Sequence, residues 1–286
     1  MARTNAISLL SAESTPATLE EIYGLVIENV QKSTLSTALK SQMYTGNPAA
    51  GSVEFKRFVN SSSKAYGTAR TAGKGDKVTA PPTTVNLSTH KEIVEEVAKF
   101  DIDTFGVADI MRRRADNHVL SMSAELDRAF FTEANTSGTA FTPARGVTDI
   151  QNIVESMIQT LETTKNDYVD GVDRSMMDLV LTPAKYGELR LYLDTQSNPN
   201  VDTAAEEFGL YHGVRVYSCT RMPADGSNIT NALLMVRGAI AQPVVVNQYG
   251  APEKIPLSND YAVSLFYDYG TKALTSDLIY KWVTTV

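Results

Sequence analysis

Residues 53–87 read VEFKRFVNSSSKAYGTARTAGKGDKVTAPPTTVNL, and residues 105–134 read FGVADIMRRRADNHVLSMSAELDRAFFTEA. These two stretches, in this order, decide the fold. In the first, the runs Val53 to Tyr66 and Lys77 to Leu87 are rich in Val, Thr and aromatic residues, which suits extended strands. Gly67, Gly73 and Gly75 lie between them. The natural reading is a long two-stranded ribbon with a glycine-rich tip. Its apolar content is too thin to bury on both faces, and an isolated hairpin is marginal in water. The ribbon must therefore lie on a partner surface, either the body of its own chain or another chain.

Charge points the same way. Between Val53 and Lys77 stand six basic residues, Lys56, Arg57, Lys64, Arg70, Lys74 and Lys77, against Glu54 and Asp76. The segment carries +4, which leaves −11 on the rest of a chain whose net charge is −7. A cationic flap on an anionic body invites docking onto a neighbouring copy. A solvated charged loop is the alternative. The overall acidic balance argues against direct packing of the surface onto DNA, since neutralising phosphates needs Lys and Arg.

The second stretch predicts a helix from about Phe105 to Ala134, about 45 Å long at 1.5 Å per residue. Ala108, Met111, Ala115, Val119, Met122, Leu126 and Ala129 recur in steps of three and four, and Arg112, Arg113, Arg114, Asn117 and Glu125 fall mostly off that stripe. Asp101, Asp103 and Asp109 suit the positive end of its dipole. An earlier helix is expected after a small, polar N-terminal stretch, with Thr18 and Glu21 as a capping box and Leu19, Ile22, Val26 and Val30 as its apolar side. A further helix is expected from Thr148, with Gln151 completing another box and Ile150, Ile153, Val154, Met157, Ile158 and Leu161 buried. A strand at Met176 to Leu181 leads into a helix opened by Thr182 and Pro183, with Tyr186, Leu189 and Leu193 as its apolar side. Val214 to Cys219, Ala232 to Val236, Val244 to Val246, Tyr261 to Tyr269 and Leu278 to Val283 read as strands. Helices and strands mix without a regular βαβ alternation, so the fold class is α+β.

No chemistry announces itself. His90, His118 and His212 are scattered with no metal spacing, and His118 falls beside the apolar stripe of the long helix, where a packing role fits better than ligation. Cys219 is the only cysteine, which rules out an intrachain disulfide, fits a reducing cytoplasmic origin, and lacks a nearby helix start to activate it. Gly67 to Asp76 fails as a phosphate loop: five residues, not four, separate Gly67 from Gly73, and Gly75 follows Lys74. The first ten residues are too weak for a secretory signal, and no run reaches a membrane span. No catalytic residue, metal ligand or cofactor is expected. Carboxylates are plentiful, so an enzyme with an unrecognised carboxylate site is a competing reading.

The order of these pieces resembles the major capsid proteins of tailed bacteriophages, the Hong Kong 97 fold family. Local phrases carry the likeness too. Ala124-Glu-Leu-Asp-Arg-Ala-Phe-Phe131 is similar to the end of that family's spine helix. Gly138 with Pro143-Ala-Arg-Gly146 resembles its following loop, Met177-Asp-Leu-Val-Leu-Thr-Pro-Ala-Lys-Tyr186 its strand-to-helix step, and His212-Gly-Val-Arg-Val216 a later strand. The resemblance implies an N-terminal arm and helix in 1–50 and an E-loop ribbon in 51–90. It implies a P-domain with the spine helix in 91–165, an A-domain in 166–235, and strands returning to the P-domain and the A-domain edge in 236–286. Lys56, Arg57, Lys64, Arg70, Lys74 and Lys77 become inter-subunit contacts; Met111, Ala115, Val119, Met122 and Leu126 become the spine-helix core. It further implies hexamers and pentamers forming an icosahedral shell around double-stranded DNA, assembled in the bacterial host cytoplasm and located in the virion. The implied partners are a scaffolding protein, a portal, a decoration protein and a maturation protease. Some members of that family begin with a long, charged helical scaffolding segment; none is read before the body here, so scaffolding would come from another protein or be missing. No Asn or catalytic Glu can be matched to a cross-link from Lys64, Lys74 or Lys77. A nanocompartment of the encapsulin type, built on the same fold around enzyme cargo, is the nearest rival.

Overall fold

The computed structural model describes residues 28–30, 32–99, 107–195, 209–249, 253–258 and 260–285. The helix expected from Thr18 lies outside them except for its end, where Val30 is buried. The main strands are β1 (Ser52–Lys56), β2 (Pro82–Asn86), β3 (Thr89–Val97), β4 (Thr139–Ala140), β5 (Met177–Leu181), β6 (Leu210–Tyr211), β7 (Val214–Ser218), β8 (Asn228–Val236), β9 (Val244–Tyr249), β10 (Glu253–Lys254), β11 (Tyr261–Tyr269) and β12 (Ile279–Thr285). The main helices are α1 (Val107–Ser137), α2 (Ile150–Glu162) and α3 (Pro183–Thr195).

A mixed central sheet runs in the order β4-β12-β8-β5-β7-β6, with Ala224–Asp225 pairing on β8. Every residue of β5 is buried, because both faces of the sheet are covered. Leu179 and Leu181, with Ala232 and Leu234 of β8, face α2 and α3 through Ile153, Val154, Met157, Ile158, Leu161, Leu189 and Leu193. Val180, Leu233 and Met235 face the other way, onto Phe130, Phe131 and Ala134 at the end of α1. A strand with two covered faces reads as a nearly continuous apolar run, and Met177 to Leu181 is apolar at every position but Asp178, which is buried against Arg237 at 2.7 Å. β5 and β7 are parallel with α3 between them, so one βαβ unit does occur inside the irregular order.

The second sheet joins β9, β11, β10 and β3. β3 and β11 pair antiparallel over nine residues, from Thr89↔Tyr269 to Val97↔Tyr261. Leu265, Tyr267 and Tyr269 pack on Ala115, Val119, Met122 and Leu126 of α1. One helix thus serves two sheets: its middle lies on the second and its last turns lie on the central one. Its 31 residues span about 46 Å at 1.5 Å per residue.

Several expectations need correction. α1 runs three residues past Ala134, to Ser137. It stops at Gly138, where a Cβ would stand 2.5 Å from the Ala134 carbonyl oxygen. α2 begins at Ile150 with Asp149 in the extended cap position, so Thr148 stands one residue too early and no side chain caps that end. The ribbon pairs over five residues per strand only, and β3 has no counterpart among the expected strands.

Candidate subunit-docking surface

The base of the ribbon docks on its own chain. In the register Val53↔Val85 and Phe55↔Thr83, the side chains of Val53, Phe55 and Val85 fall on one face and are buried with Ala241, beside Leu274. Thr45 and Glu54 exchange backbone hydrogen bonds at 2.9 and 3.0 Å along the outer edge. The Lys272 ammonium donates to the Thr84 carbonyl at 3.0 Å. At Gly270 a Cβ would lie 2.0 Å from the Asn86 carbonyl oxygen, so this crossing of the ribbon's base over the end of β11 requires glycine.

The ladder stops at Lys56↔Pro82 for a chemical reason: Pro81 and Pro82 have no N–H to donate. One cross-link persists farther out, from the Val59 N–H to the Thr79 carbonyl at 3.0 Å. Here the arm is pinned from outside. The Arg57 guanidinium donates both of its terminal nitrogens to the Asp277 carboxylate, at 2.7 and 2.9 Å, and lies 4.3 Å over the Tyr168 ring. Asn166 donates to the same carboxylate at 2.6 Å, and the Asn60 N–H donates to the Asp167 carbonyl at 2.9 Å. Burial pushes the Asp277 carboxyl up, but the bonds from Arg57 and Asn166 outweigh it and hold the group below its ordinary pKa.

Residues 61–80 are exposed apart from half-buried Ala80. The short helix Thr68–Ala72 forms the tip, bounded by Gly67 (φ 92°) and Gly73 (φ 68°) in the left-handed region. Large apolar groups stand in water along the arm: Tyr66 at 101% of full exposure, Val78 at 76% and Phe58 at 61%.

The six ribbon cations divide into two groups. Three have partners within the chain: Lys56 lies 3.6 Å from Glu54, Arg57 is held by Asp277, and Lys64 meets Asp76 at 2.5 Å across the arm. Arg70, Lys74 and Lys77 have no ion pair among the described residues, so the positive charge concentrates at the tip. Sequence reasoning missed Asp277, Tyr168, Asn166 and Asp167, which pin the base. Asp277 lies 220 residues from Arg57, and no local pattern marks it.

In α1, Ala115, Val119, Met122 and Leu126 are all buried, while the side chain of Met111 lies outside the described residues. His118 is buried, with its Nε2 3.1 Å from Glu95 on β3, and Arg114 pairs with the same carboxylate. Glu125 accepts from Tyr267 at 2.7 Å and Tyr269 at 3.0 Å and pairs with Lys91 at 3.0 Å. Burial, seconded by Glu125, pushes the Tyr269 hydroxyl up to about 12. On the other side of the molecule, Arg174 bridges Glu155 and Glu162, and His212 Nδ1 lies 2.7 Å from Glu155. Burial opposes ionisation of Glu155, but these bonds prevail and bring it down to about 2. Each carboxylate with a displaced pKa among the described residues is thus engaged by a structural partner. Burial raises the Cys219 thiol, which disfavours the thiolate. No cluster of three or more metal-ligating side chains occurs among the described residues.

The sequence matches no protein-family model and no curated protein. The fold does have relatives of known structure. The capsid of a GTA particle aligns with a TM-score of 0.59 at 12% identity, covering 89% of this chain and 90% of that one. The capsid of cyanophage P-SCSP1u aligns with a TM-score of 0.58 at 12% identity, covering 86% and 85%. A virus-like particle from Pyrococcus furiosus aligns with a TM-score of 0.55 at 11% identity, covering 92% and 98%. The chain has an α+β capsid-protein fold, shared across most of its length.

Proposed function

We propose that this chain is the major capsid protein of a tailed bacteriophage, a structural protein that tiles an icosahedral shell around double-stranded DNA as hexamers and pentamers. The observation that carries the reading is the arm at residues 57–80, set on a capsid fold: it is pinned at its base and bare along its apolar, cationic outer half. Lying across the adjacent subunit would cover Phe58, Tyr66 and Val78 and bring Arg70, Lys74 and Lys77 onto an anionic neighbour. In this reading residues 1–50 form the N-terminal arm, 51–90 the E-loop, 91–165 the P-domain, 166–235 the A-domain and 236–286 the returning strands. α1 acts as the spine, because it ties the two sheets into one stiff wedge. Assembly takes place in the bacterial host cytoplasm, with scaffolding, portal and decoration proteins as partners. The role needs no cofactor and no active site.

A second reading, a nanocompartment filled with protein, draws on the likeness to the virus-like particle, 98% of which is covered. Sedimentation of the expressed protein, co-expressed with a scaffold where one is needed, tests both. Fast-sedimenting closed particles that protect DNA from nuclease support the phage shell. Particles that form without a scaffold and hold a host protein that is not itself a scaffold support the second reading, and a chain that stays monomeric contradicts both.

A further inference from the structure

The chain holds two Asp-Gly steps, Asp170–Gly171 and Asp225–Gly226, and the fold treats them oppositely. At such a step the glycine nitrogen can attack the aspartyl carboxyl, because no side chain hinders the approach. The reaction needs a carboxyl and an amide that are both free to move. At the first step neither is. Asp170 pairs with Lys165 at 2.7 Å, and the bond from Lys165 holds its carboxyl below the ordinary range, in the ionised form that cyclises least readily. That pair is exposed and weak, so the backbone is the stronger restraint. The Gly171 N–H donates to the Thr164 carbonyl at 2.9 Å, and the next N–H, of Val172, donates to Glu162 at 3.1 Å. The second step has no such clamp. Asp225 ends the short strand Ala224–Asp225, which pairs only with β8, through Ala224↔Ile229 and Asp225↔Asn228. Gly226 and Ser227 make the tight turn, with Gly226 in the left-handed region at φ 54°, as a two-residue hairpin turn asks of its first central residue. Asp225 is exposed, and apart from the chain neighbours no atom lies within 4 Å of where a Gly226 Cβ would stand. Among the described residues the Asp225 carboxylate has no ion pair or hydrogen bond, and the Gly226 N–H has no acceptor.

We propose that Asp225–Gly226 is a site of spontaneous main-chain isomerisation, and that the fold directs the reaction there and away from Asp170–Gly171. The Gly226 nitrogen bonds to the Asp225 Cγ. A carboxyl oxygen leaves as water, carrying the amide proton and the acid proton, and an imide ring closes. Water then adds back at one of the two ring carbonyls. Breaking the bond from nitrogen to Cγ regenerates aspartate. Breaking the bond from nitrogen to the old main-chain carbonyl leaves isoaspartate, in which the chain runs through Cβ and Cγ and the old carbonyl is the free carboxylate. Composition and mass are unchanged, and water is the only co-reactant. The product lengthens the chain by one methylene at Asp225↔Asn228, so this pairing is lost as built. The hairpin opens beside the cleft lined by Arg128, Arg221 and Thr230, while the rest of β8 stays held between β5 and β12. The turn thus records the age of each copy, whatever assembly the chain joins.

The test holds the purified full chain at neutral pH, folded and in guanidinium chloride, and samples it over days. Peptide mapping with electron-transfer fragmentation locates isoaspartate, and labelling by a protein isoaspartate methyltransferase counts it. In the folded chain isoaspartate should accumulate at position 225 at least about tenfold faster than at 170, because Gly171 must first break its bond to Thr164. In guanidinium the two rates should agree within about threefold, because the unfolded steps share one chemistry. Asp225→Glu keeps the charge but must close a larger ring, so the labelled peptide should disappear while the near-ultraviolet circular dichroism stays native. Equal rates in the folded chain, or a faster reaction at 170, overturn the proposal. So does silence at 225 in the folded chain while the unfolded chain reacts there. A preference for 225 that persists undiminished in guanidinium overturns the role given to the fold, and a labelled peptide of unchanged yield in Asp225→Glu overturns the site.

Discussion

Replacing Arg57 with Ala should loosen the arm without unfolding the body. Arg57 makes two charge-assisted bonds to Asp277 and covers the ring of Tyr168. Bonds to charged groups contribute about 1.5–3 kcal/mol, and partial exposure of this pair favours the lower end. The cation over the ring adds about 0.5 kcal/mol at an accessible site. The sum is about 2 kcal/mol, or roughly a thirtyfold rise in the population of the opened base. It is local, because Val53, Phe55 and Val85 keep the root of the ribbon buried. Amide hydrogen exchange reads it at Val59 and Asn60, whose N–H groups bond to Thr79 and Asp167. Exchange there should accelerate by about that factor while the amides of β5 and β8 stay protected. Asp277→Asn should give a smaller effect, since the shape remains and the charge goes. Unchanged exchange at Val59 and Asn60 would refute the claim that Arg57 pins the arm.

Other consequences can be measured on the unassembled chain. Phe131→Ala empties a fully buried site between α1 and the central sheet and should cost about 3–5 kcal/mol in urea unfolding. Phe58→Ala, on the exposed arm, should change stability by less than about 0.5 kcal/mol yet reduce assembly. Asp127→Ala removes the acceptor of Arg221 (2.6 Å) and of the Ser36 and Leu35 N–H groups, and should cost about 3 kcal/mol, with faster exchange across residues 35–40. Glu155 supplies a pH dependence: its pKa is lowered on folding to about 2. A carboxyl lowered on folding contributes stability that is complete above its unfolded pKa and is lost as pH falls through the folded one. The advantage of wild type over Glu155→Gln should therefore be full near neutral pH and shrink between about pH 4.5 and 2. An advantage independent of pH would show that the charge of Glu155 is not what holds Arg174.

The parts of the fold that can be read locally are those governed by burial on one face. α1 and α2 show their apolar spacing because each packs on one side, and β5 is apolar on both faces because it packs on two, Asp178 being the exception that Arg237 neutralises. β3 was illegible for the opposite reason. Its inward Lys91 and Glu95 reach charges on α1, and its outward face carries Glu92 and Glu96, so no alternation of apolar and polar residues survives. The ribbon was legible as an extended cationic element, but its ladder was overestimated because Pro81 and Pro82 end the pairing. The division of its cations into paired and unpaired sets depends on Asp277 and Asp76, and only folding brings Asp277 to Arg57.

The central claim is that residues 58–80 find their cover on another copy. Electron cryo-microscopy of particles assembled from the full chain tests it most directly. The account expects closed shells in which density for Tyr66, Arg70 and Lys74 lies against the neighbouring subunit. Shells in which the arm stands free in solvent or folds back on its own body, or a chain that forms no shell with a scaffold supplied, would contradict it.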